Sequence, residues 1–378
     1  MGFESLRRRI GVARRWLSNR QFYFDLQGSQ HARALELSIP AIEDALTGQQ
    51  YAPPMRLLSR PRQDRILHNA ELTNCSFTGC VNAWDIPLIY APNLGYSAEP
   101  LLDRRDVAVR FGRPQRSFTA SQGPIPLAFP AVGPYSANWY HSLIDQGSLI
   151  SRWYRLKGRA AGARLILSAF WKYRWPQLPE LFGLTESEYV WLGEDRITCD
   201  ALWVPMGCRT FGANRLGNWT FAHPEDVRDL RALLLSALGS CSSFIGKRVV
   251  IDRGDGWRVG PERVLGFSKL KDELVSRHGF EPVRLGELAP PEQLRLYRDA
   301  SAIVAEHGAG LSGMICASVN TTIIEVFPSS NKDMGIYGFS MLRAAIPHHR
   351  YFTLVGAEHP NLDRCIAAIV ADSSRAAT

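Results

Sequence analysis

The sequence lacks any apolar run approaching the roughly 18–20 residues of a membrane span, which excludes a bilayer-crossing helix. It has no Cys-x-x-Cys and no zinc-ligand spacing. Cys75, Cys80, Cys199, Cys208, Cys241, Cys316 and Cys365 are scattered and odd in number, as free or buried thiols of a reducing compartment are. No Asp-x-Asp pair is present to hold a divalent cation against a diphosphate, so no metal is expected, and no other cofactor is called for. The first residues lack the apolar core of a secretory signal, and the expectation is cytoplasmic residence. Internal repeats and low-complexity tracts are absent.

At 378 residues the chain is long enough for roughly two domains, and its 46% hydrophobic and 21% charged content is ordinary for a globular protein. The formal net charge of +8 is unevenly placed: Arg7, Arg8, Arg9, Arg14, Arg15 and Arg20 against Glu4 put +5 of it in the first 20 residues. The rest is nearly neutral and carries no basic stripe or nucleic-acid motif, which argues against a nucleic-acid partner. Phe3, Leu6, Ile10, Ala13 and Leu17 recur at helical spacing among those arginines. A basic amphipathic helix of this kind can lie on an anionic membrane surface, on the inner face of the membrane, or can pack on its own domain. An organellar targeting peptide shares the pattern.

From Ile66 to Gln115 short runs such as 81–84 and 107–111 alternate with turn residues and predict small strands. Between Leu127 and Phe221 the text becomes an alternation of strand-like and helix-like pieces, including 165–170, 189–192 and 202–205, as an α/β domain requires. The spacing predicts a helix over 224–238, then a Ser- and Gly-rich break at 239–246. A second α/β unit follows: strand 248–252, helix 267–277, a strand near Val283, helix 291–298, strand 302–305, helix 311–317 and strand 322–327. The expected division is a basic helix and linker (1–60), an N-terminal domain (61–238), a C-terminal domain (239–353) and a C-terminal helix or tail (354–378).

The densest signal is Glu306-His-Gly-Ala-Gly-Leu-Ser-Gly313. Gly308, Gly310 and Gly313 form G-x-G-x-x-G between a strand and a helix, so the amides of Gly308, Ala309, Gly310 and Leu311 can approach a diphosphate at a helix start. Glycines at this spacing also let a helix pack close to a sheet. His307 adds a donor for a phosphate oxygen, and Glu325, near the end of the next strand, can accept from ribose hydroxyls. This loop suits a dinucleotide oxidoreductase and a sugar-nucleotide transferase alike.

Arg253 and Arg258 follow strand 248–252 in a polar, glycine-containing loop, where guanidinium groups can bind phosphate bidentately or stand solvated. In the N-terminal domain, Asn138-Trp-Tyr-His-Ser-Leu-Ile-Asp145 sets His141 and Asp145 four apart on one helix face. Either can act as a general base toward an acceptor hydroxyl, with Trp139 or Tyr140 stacking on a sugar ring. A surface His–Asp pair is also a common structural contact, and two residues do not make a metal site.

With these elements in this order, the chain resembles glycosyltransferase family 61 over roughly residues 66–353. The strongest segment is Leu285-Gly-Glu-Leu-Ala-Pro-Pro-Glu-Gln-Leu-Arg-Leu-Tyr-Arg-Asp-Ala300, leading into Glu306-His-Gly-Ala-Gly-Leu311 and Ile324-Glu-Val-Phe-Pro328. The segment from Tyr337 to Tyr351, with His348-His-Arg350, is similar to the family's closing segment. The resemblance implies a GT-B-like fold, two Rossmann-like domains facing a central cleft, with a small β-rich N-terminal segment. It implies an inverting, metal-independent transfer from a nucleotide-sugar donor to a glycan or lipid-linked glycan acceptor, in capsular or exopolysaccharide synthesis of bacterial type. It also implies donor contacts for Arg253, Arg258, His307, Gly308, Ala309, Gly310, Leu311 and Glu325, acceptor contacts for Asn138, Trp139 and Tyr140, and a base among Asp145, His141 and Glu306. The chain departs from the family pattern at Pro261, where members carry Asn before an acidic residue, and at Glu306, where a small or apolar residue is usual. The competing readings are an NAD(P)-dependent oxidoreductase using the glycine loop and a non-catalytic glycan-assembly protein.

Overall fold

The computed structural model describes residues 33–59, 64–76, 85–91, 95–97, 124–133, 136–157, 162–193, 196–205, 209–214, 217–240, 243–253, 264–329, 337–346 and 350–375. The basic helix expected in the first 20 residues, the runs 81–84 and 107–111, Arg258, Pro261, Glu262, His348 and His349 lie outside the described residues. The protein is a mixed α/β chain with parallel sheets and helices, in two compact units: Met1–Ser38 with Met55–Leu230, and Ile39–Pro54 with Arg231–Thr378. Among the described residues no helix is long and apolar enough to cross a membrane.

The first unit has a four-stranded sheet of β1 (Arg33–Ile39), β4 (Met55–Ser59), β12 (Arg209–Asn214) and β13 (Gly217–Ala222), in that order. Its larger sheet uses β5 (Asp64–Ser76), β6 (Asp85–Ala91), β7 (Gly95–Ser97), β8 (Ile125–Pro130), β9 (Arg164–Ser168), β10 (Tyr189–Leu192) and β11 (Ile197–Pro205). The order β10-β9-β8-β11-β5-β6-β7 is parallel from β10 through β11 and antiparallel beyond it. Parallel strands are covered on both faces, and Leu165, Ile166 and Leu167 accordingly form one wholly buried run in β9. Between β8 and β9 the chain runs through a π-helix, His141–Gln146, into α1 (Gly147–Leu156); α2 (Phe170–Arg174) and α3 (Leu178–Leu181) follow β9. Gly147 lets α1 sit close to its neighbours: a Cβ there would stand 3.1 Å from Leu230 and 3.2 Å from Phe182. The helix expected over 224–238 is α4 (Pro224–Ala237).

The second unit holds β14 (Arg248–Ile251), α5 (Phe267–His278), β15 (Glu281–Val283), α6 (Pro290–Asp299), β16 (Ala302–Glu306), a 3-10 helix (Ala309–Cys316), β17 (Thr322–Phe327), α7 (Tyr337–Ala345), β18 (Arg350–Val355) and α8 (Leu362–Arg375). These five strands form one parallel sheet, in the order β15-β14-β16-β17-β18. Val250, Val304, Ile324 and Val326 face Phe267, Leu270 and Leu274 of α5 and Leu362, Ile366 and Val370 of α8. By the two-residue period of a strand, Ile303, Ala305, Ile323, Glu325 and Phe327 point to the opposite face. The chain passes from β14 outward to β15 and returns on the other side as β16, so the strand order reverses between β14 and β16. In open α/β sheets such a reversal leaves a crevice at the carboxyl ends of the two strands.

Residues 39–54, expected within the N-terminal linker, instead fold onto this unit. The hairpin of β2 (Ile42–Glu43) and β3 (Gln50–Ala52) lies along β18, where Ala45 donates its amide to Thr353 (2.8 Å) and Val355 donates to Asp44 (2.7 Å). Tyr51 donates its hydroxyl to the Pro328 carbonyl (2.8 Å). The segment covers an edge strand whose backbone groups would otherwise invite pairing with another chain.

Candidate active site

The carboxyl ends of β14 and β16 carry Arg253, Glu306, His307 and the glycine loop, and Glu325 lies in the neighbouring β17. After β14, Asp252 accepts from Lys271 and Arg284, both at 3.4 Å, and the next residue, Arg253, is exposed. β16 ends on Glu306, which is buried and accepts the backbone amide of Val264 (2.8 Å), 42 positions earlier. Among the candidate bases, Glu306 is therefore held by the main chain just before α5.

His307 follows, 3% exposed, its ring stacked on Phe327 at 4.9 Å and edge-on to Phe339 at 5.6 Å. Its Nδ1 lies 2.5 Å from Glu325 Oε1, and Tyr351 donates its hydroxyl to Glu325 Oε2. Glu325 has no exposed surface. A carboxylate removed from water is tolerated when its oxygens are hydrogen-bonded, and His307 and Tyr351 supply one partner to each. Glu325, the carboxylate expected to meet a ribose, holds the histidine at the head of the glycine loop. Tyr351 was not among the expected contacts; the sequence signal for it is Glu325 itself, an acid in the otherwise apolar strand Thr322–Phe327.

The expected helix over 311–317 is a 3-10 helix beginning at Ala309. Leu311 donates its amide to Gly308 (3.0 Å), Ser312 donates its hydroxyl to Ala309 (2.6 Å), and Ala317 donates to Met314 (3.0 Å), bonds that tighten each turn. The Leu311 amide is thus already engaged, and Ala309 and Gly310 are the half-exposed positions of the loop. Gly308 is extended, with φ at 165°, a conformation open to any residue. Gly313 is required by packing: a Cβ there would lie 2.1 and 2.4 Å from ring atoms of Tyr297, a fully buried side chain on α6. The Tyr297 hydroxyl donates to the Gly310 carbonyl (2.9 Å), so the same ring seats the helix and ties down the loop.

In the first unit, His141 Nδ1 lies 2.7 Å from Asp145 Oδ2. The pair sits in the π-helix, whose turn holds more residues than an α-turn, so positions four apart overlie more nearly. Buried bonds hold this turn: Ser142 donates to the Ser136 carbonyl (2.9 Å), Gln146 to Ser136 Oγ (2.9 Å), and the Trp171 indole to Ser142 Oγ (3.0 Å). The His141 side chain is 30% exposed and that of Asp145 only 7%. The imidazole is therefore the member of the pair that meets solvent. Tyr140 stands edge-on to His141 at 5.4 Å, Trp139 packs against Trp175 at 5.1 Å, and Asn138 accepts the Tyr140 amide (2.9 Å) as the helix turns.

Among the described residues no three His, Cys, Asp or Glu side chains gather as a cation cage. The chain matches no curated protein. Residues 139–324 are similar to the family described as Glycosyltransferase 61, from Trp139 beside the His–Asp pair to Ile324 beside Glu325, and this match supports glycosyltransferase family 61 and, with it, a glycosyltransferase acting on a donor and an acceptor.

Proposed function

We propose that the protein is an inverting, metal-independent transferase that moves a sugar from a nucleotide-sugar donor to a hydroxyl of a glycan or lipid-linked glycan, in synthesis of a cell-surface polysaccharide of capsular type. The observation that carries this reading is the family match, which spans His141, Asp145 and His307. The reversal of strand order between β14 and β16 supports a donor site at their carboxyl ends. There Arg253, Arg258, His307 and the backbone at Ala309 and Gly310 receive the diphosphate, while Glu325 acts through His307 rather than on the ribose. The cluster of arginines in the first 20 residues supports a station at an anionic membrane surface.

His141 takes the proton of the acceptor hydroxyl, and Asp145 holds the imidazole by its other nitrogen. The hydroxyl oxygen bonds to the anomeric carbon from the face opposite the leaving group. The bond from that carbon to the diphosphate oxygen breaks, and its electron pair leaves on the nucleoside diphosphate. Cationic side chains and N–H donors at the donor site stabilise the charge that grows on that oxygen. The proton on His141 then passes to solvent.

Thermal unfolding in the presence of nucleoside diphosphates and of NAD(P) tests the ligand class, because a ligand bound to the folded state alone raises the transition. Stabilisation by a nucleoside diphosphate is expected; stabilisation by NAD(P) alone would sink the proposal. His141→Gln should abolish transfer with nucleotide affinity retained, and Asp145→Asn should lower kcat by about 10²-fold or more. Full turnover by His141→Gln would remove the imidazole from the base role.

A further inference from the structure

The run Phe170-Trp-Lys-Tyr-Arg-Trp175 has an aromatic or a basic residue at every position. Only Trp171 is fully buried, and its indole bond to Ser142 anchors the run one residue from His141. The remaining side chains turn outward: Tyr173 is 82% exposed, Lys172 and Arg174 are exposed, and Phe170 and Trp175 are half-buried. Phe170 and Arg174 are four apart and share a face of α2. The Trp175 ring lies 5.1 Å from Trp139 and 5.8 Å from Phe170. The half-buried rings of Phe170 and Trp175 thus adjoin each other and the buried ring of Trp139, two positions before His141, whereas apolar residues that merely fail to be buried are scattered singly.

We infer that this aromatic and basic edge is the acceptor subsite and that it selects an anionic carbohydrate, a sugar bearing a carboxylate or a phosphate. The inference rests on the transferase reading. The C–H face of a pyranose packs on aromatic rings, and Lys172 and Arg174 supply charge-assisted bonds to the anion. A membrane surface also attracts aromatic and basic side chains, but this run contains no aliphatic residue to insert and continues into exposed Pro176 and Gln177.

The test is a tryptophan-fluorescence titration of the full chain with tetragalacturonate, glucose 1-phosphate, neutral maltotetraose and phosphatidylglycerol vesicles. At least one anionic sugar is expected to bind about tenfold more tightly than maltotetraose, and the arm that does so identifies carboxylate or phosphate as the anion. Lys172→Gln with Arg174→Gln should erase that preference, and Trp175→Ala should weaken charged and neutral sugars alike, with circular dichroism confirming the fold. The inference is overturned if neither anionic sugar is preferred, or if the preference survives the double substitution. Vesicle binding lost in the double variant without any sugar preference also overturns it and assigns the edge to a membrane. Nucleoside diphosphate binding measured alongside separates the two readings: if it is present while sugar preference is absent, the acceptor inference fails alone, and if it is absent the transferase reading fails.

Discussion

Gly313→Ala separates the two physical roles a glycine loop can have. The added methyl would stand 2.1 Å from Cδ2 and 2.4 Å from Cε2 of Tyr297, where carbon atoms in contact need about 3.5–4.0 Å. Either the ring or the 3-10 helix must retreat by about 1–1.5 Å. Neither has room, since Tyr297 and Gly313 to Cys316 are all buried. Overpacking of this kind costs about 1–3 kcal/mol, and displacing the ring also breaks the Tyr297–Gly310 hydrogen bond, worth about 1 kcal/mol. The expected loss is about 3 kcal/mol, a fall in Tm of about 6–12 °C at 2–4 °C per kcal/mol.

Urea unfolding followed by near-ultraviolet circular dichroism measures this loss, with nucleoside diphosphate affinity measured on the same preparation. Tyr297→Leu in the Gly313→Ala background should recover part of the stability, a coupling of about 1 kcal/mol or more. Gly310→Ala should be cheaper, because its Cβ would meet only the Leu285 Cδ1 at 2.9 Å, the end of a flexible side chain. Wild-type stability in Gly313→Ala, with affinity lost, would refute the packing role and return this glycine to the ligand.

Tyr351→Phe strips one donor from the buried Glu325 carboxylate and should destabilise the protein by about 1–3 kcal/mol while lowering kcat; an unchanged Tm would mean the hydroxyl is not a needed partner. Arg253→Ala should weaken nucleoside diphosphate binding about tenfold by calorimetry, about 1.4 kcal/mol, and unchanged affinity would mean that the guanidinium does not meet the diphosphate. Asp44 is held below the usual carboxylate range: burial by itself raises it, but N–H donors from Thr47, Val355 and Leu46 and the Thr47 hydroxyl outweigh that effect. Its contribution is thus present above its unfolded pKa of about 3.9 and lost as pH falls through the lower folded value. The stability gap between wild type and Asp44→Ala in urea should be constant near neutrality and close in acid; a gap independent of pH would refute this.

The parallel sheet of the second unit is legible because strands covered on both faces spell apolar runs, so Ala302–Glu306 and Thr322–Phe327 could be read directly from composition. The helices Phe267–His278 and Pro290–Asp299 are legible from apolar spacing, with Gly279 closing the first in a left-handed cap and proline opening the second. What the sequence hides is set by contacts distant along the chain. No local rule reveals that Glu306 accepts an amide 42 residues upstream, that Asp44 pairs with Val355, or that the ring of Tyr297 dictates Gly313. The π-turn at His141–Gln146 is hidden for the same reason, being held by Ser136 and Trp171 from outside the helix.

The two His–carboxylate pairs differ chiefly in exposure, and on the proposed reading exposure assigns their work. A base that collects a proton from each acceptor must release it to water before the next turnover, so an imidazole with 30% of its side chain exposed suits His141. A group that steadies charge appearing on a leaving diphosphate gains from the opposite condition. Away from water its field is less screened, and a fixed orientation costs nothing at the moment of reaction. His307, 3% exposed and locked between Glu325, Phe327 and Phe339, meets that condition. The carboxylates follow the same division. Asp145 must hold an imidazole that gains and loses a proton, and its side chain keeps a little exposure. Glu325, with none, has Tyr351 as a second donor so that its charge is tolerated in the sheet.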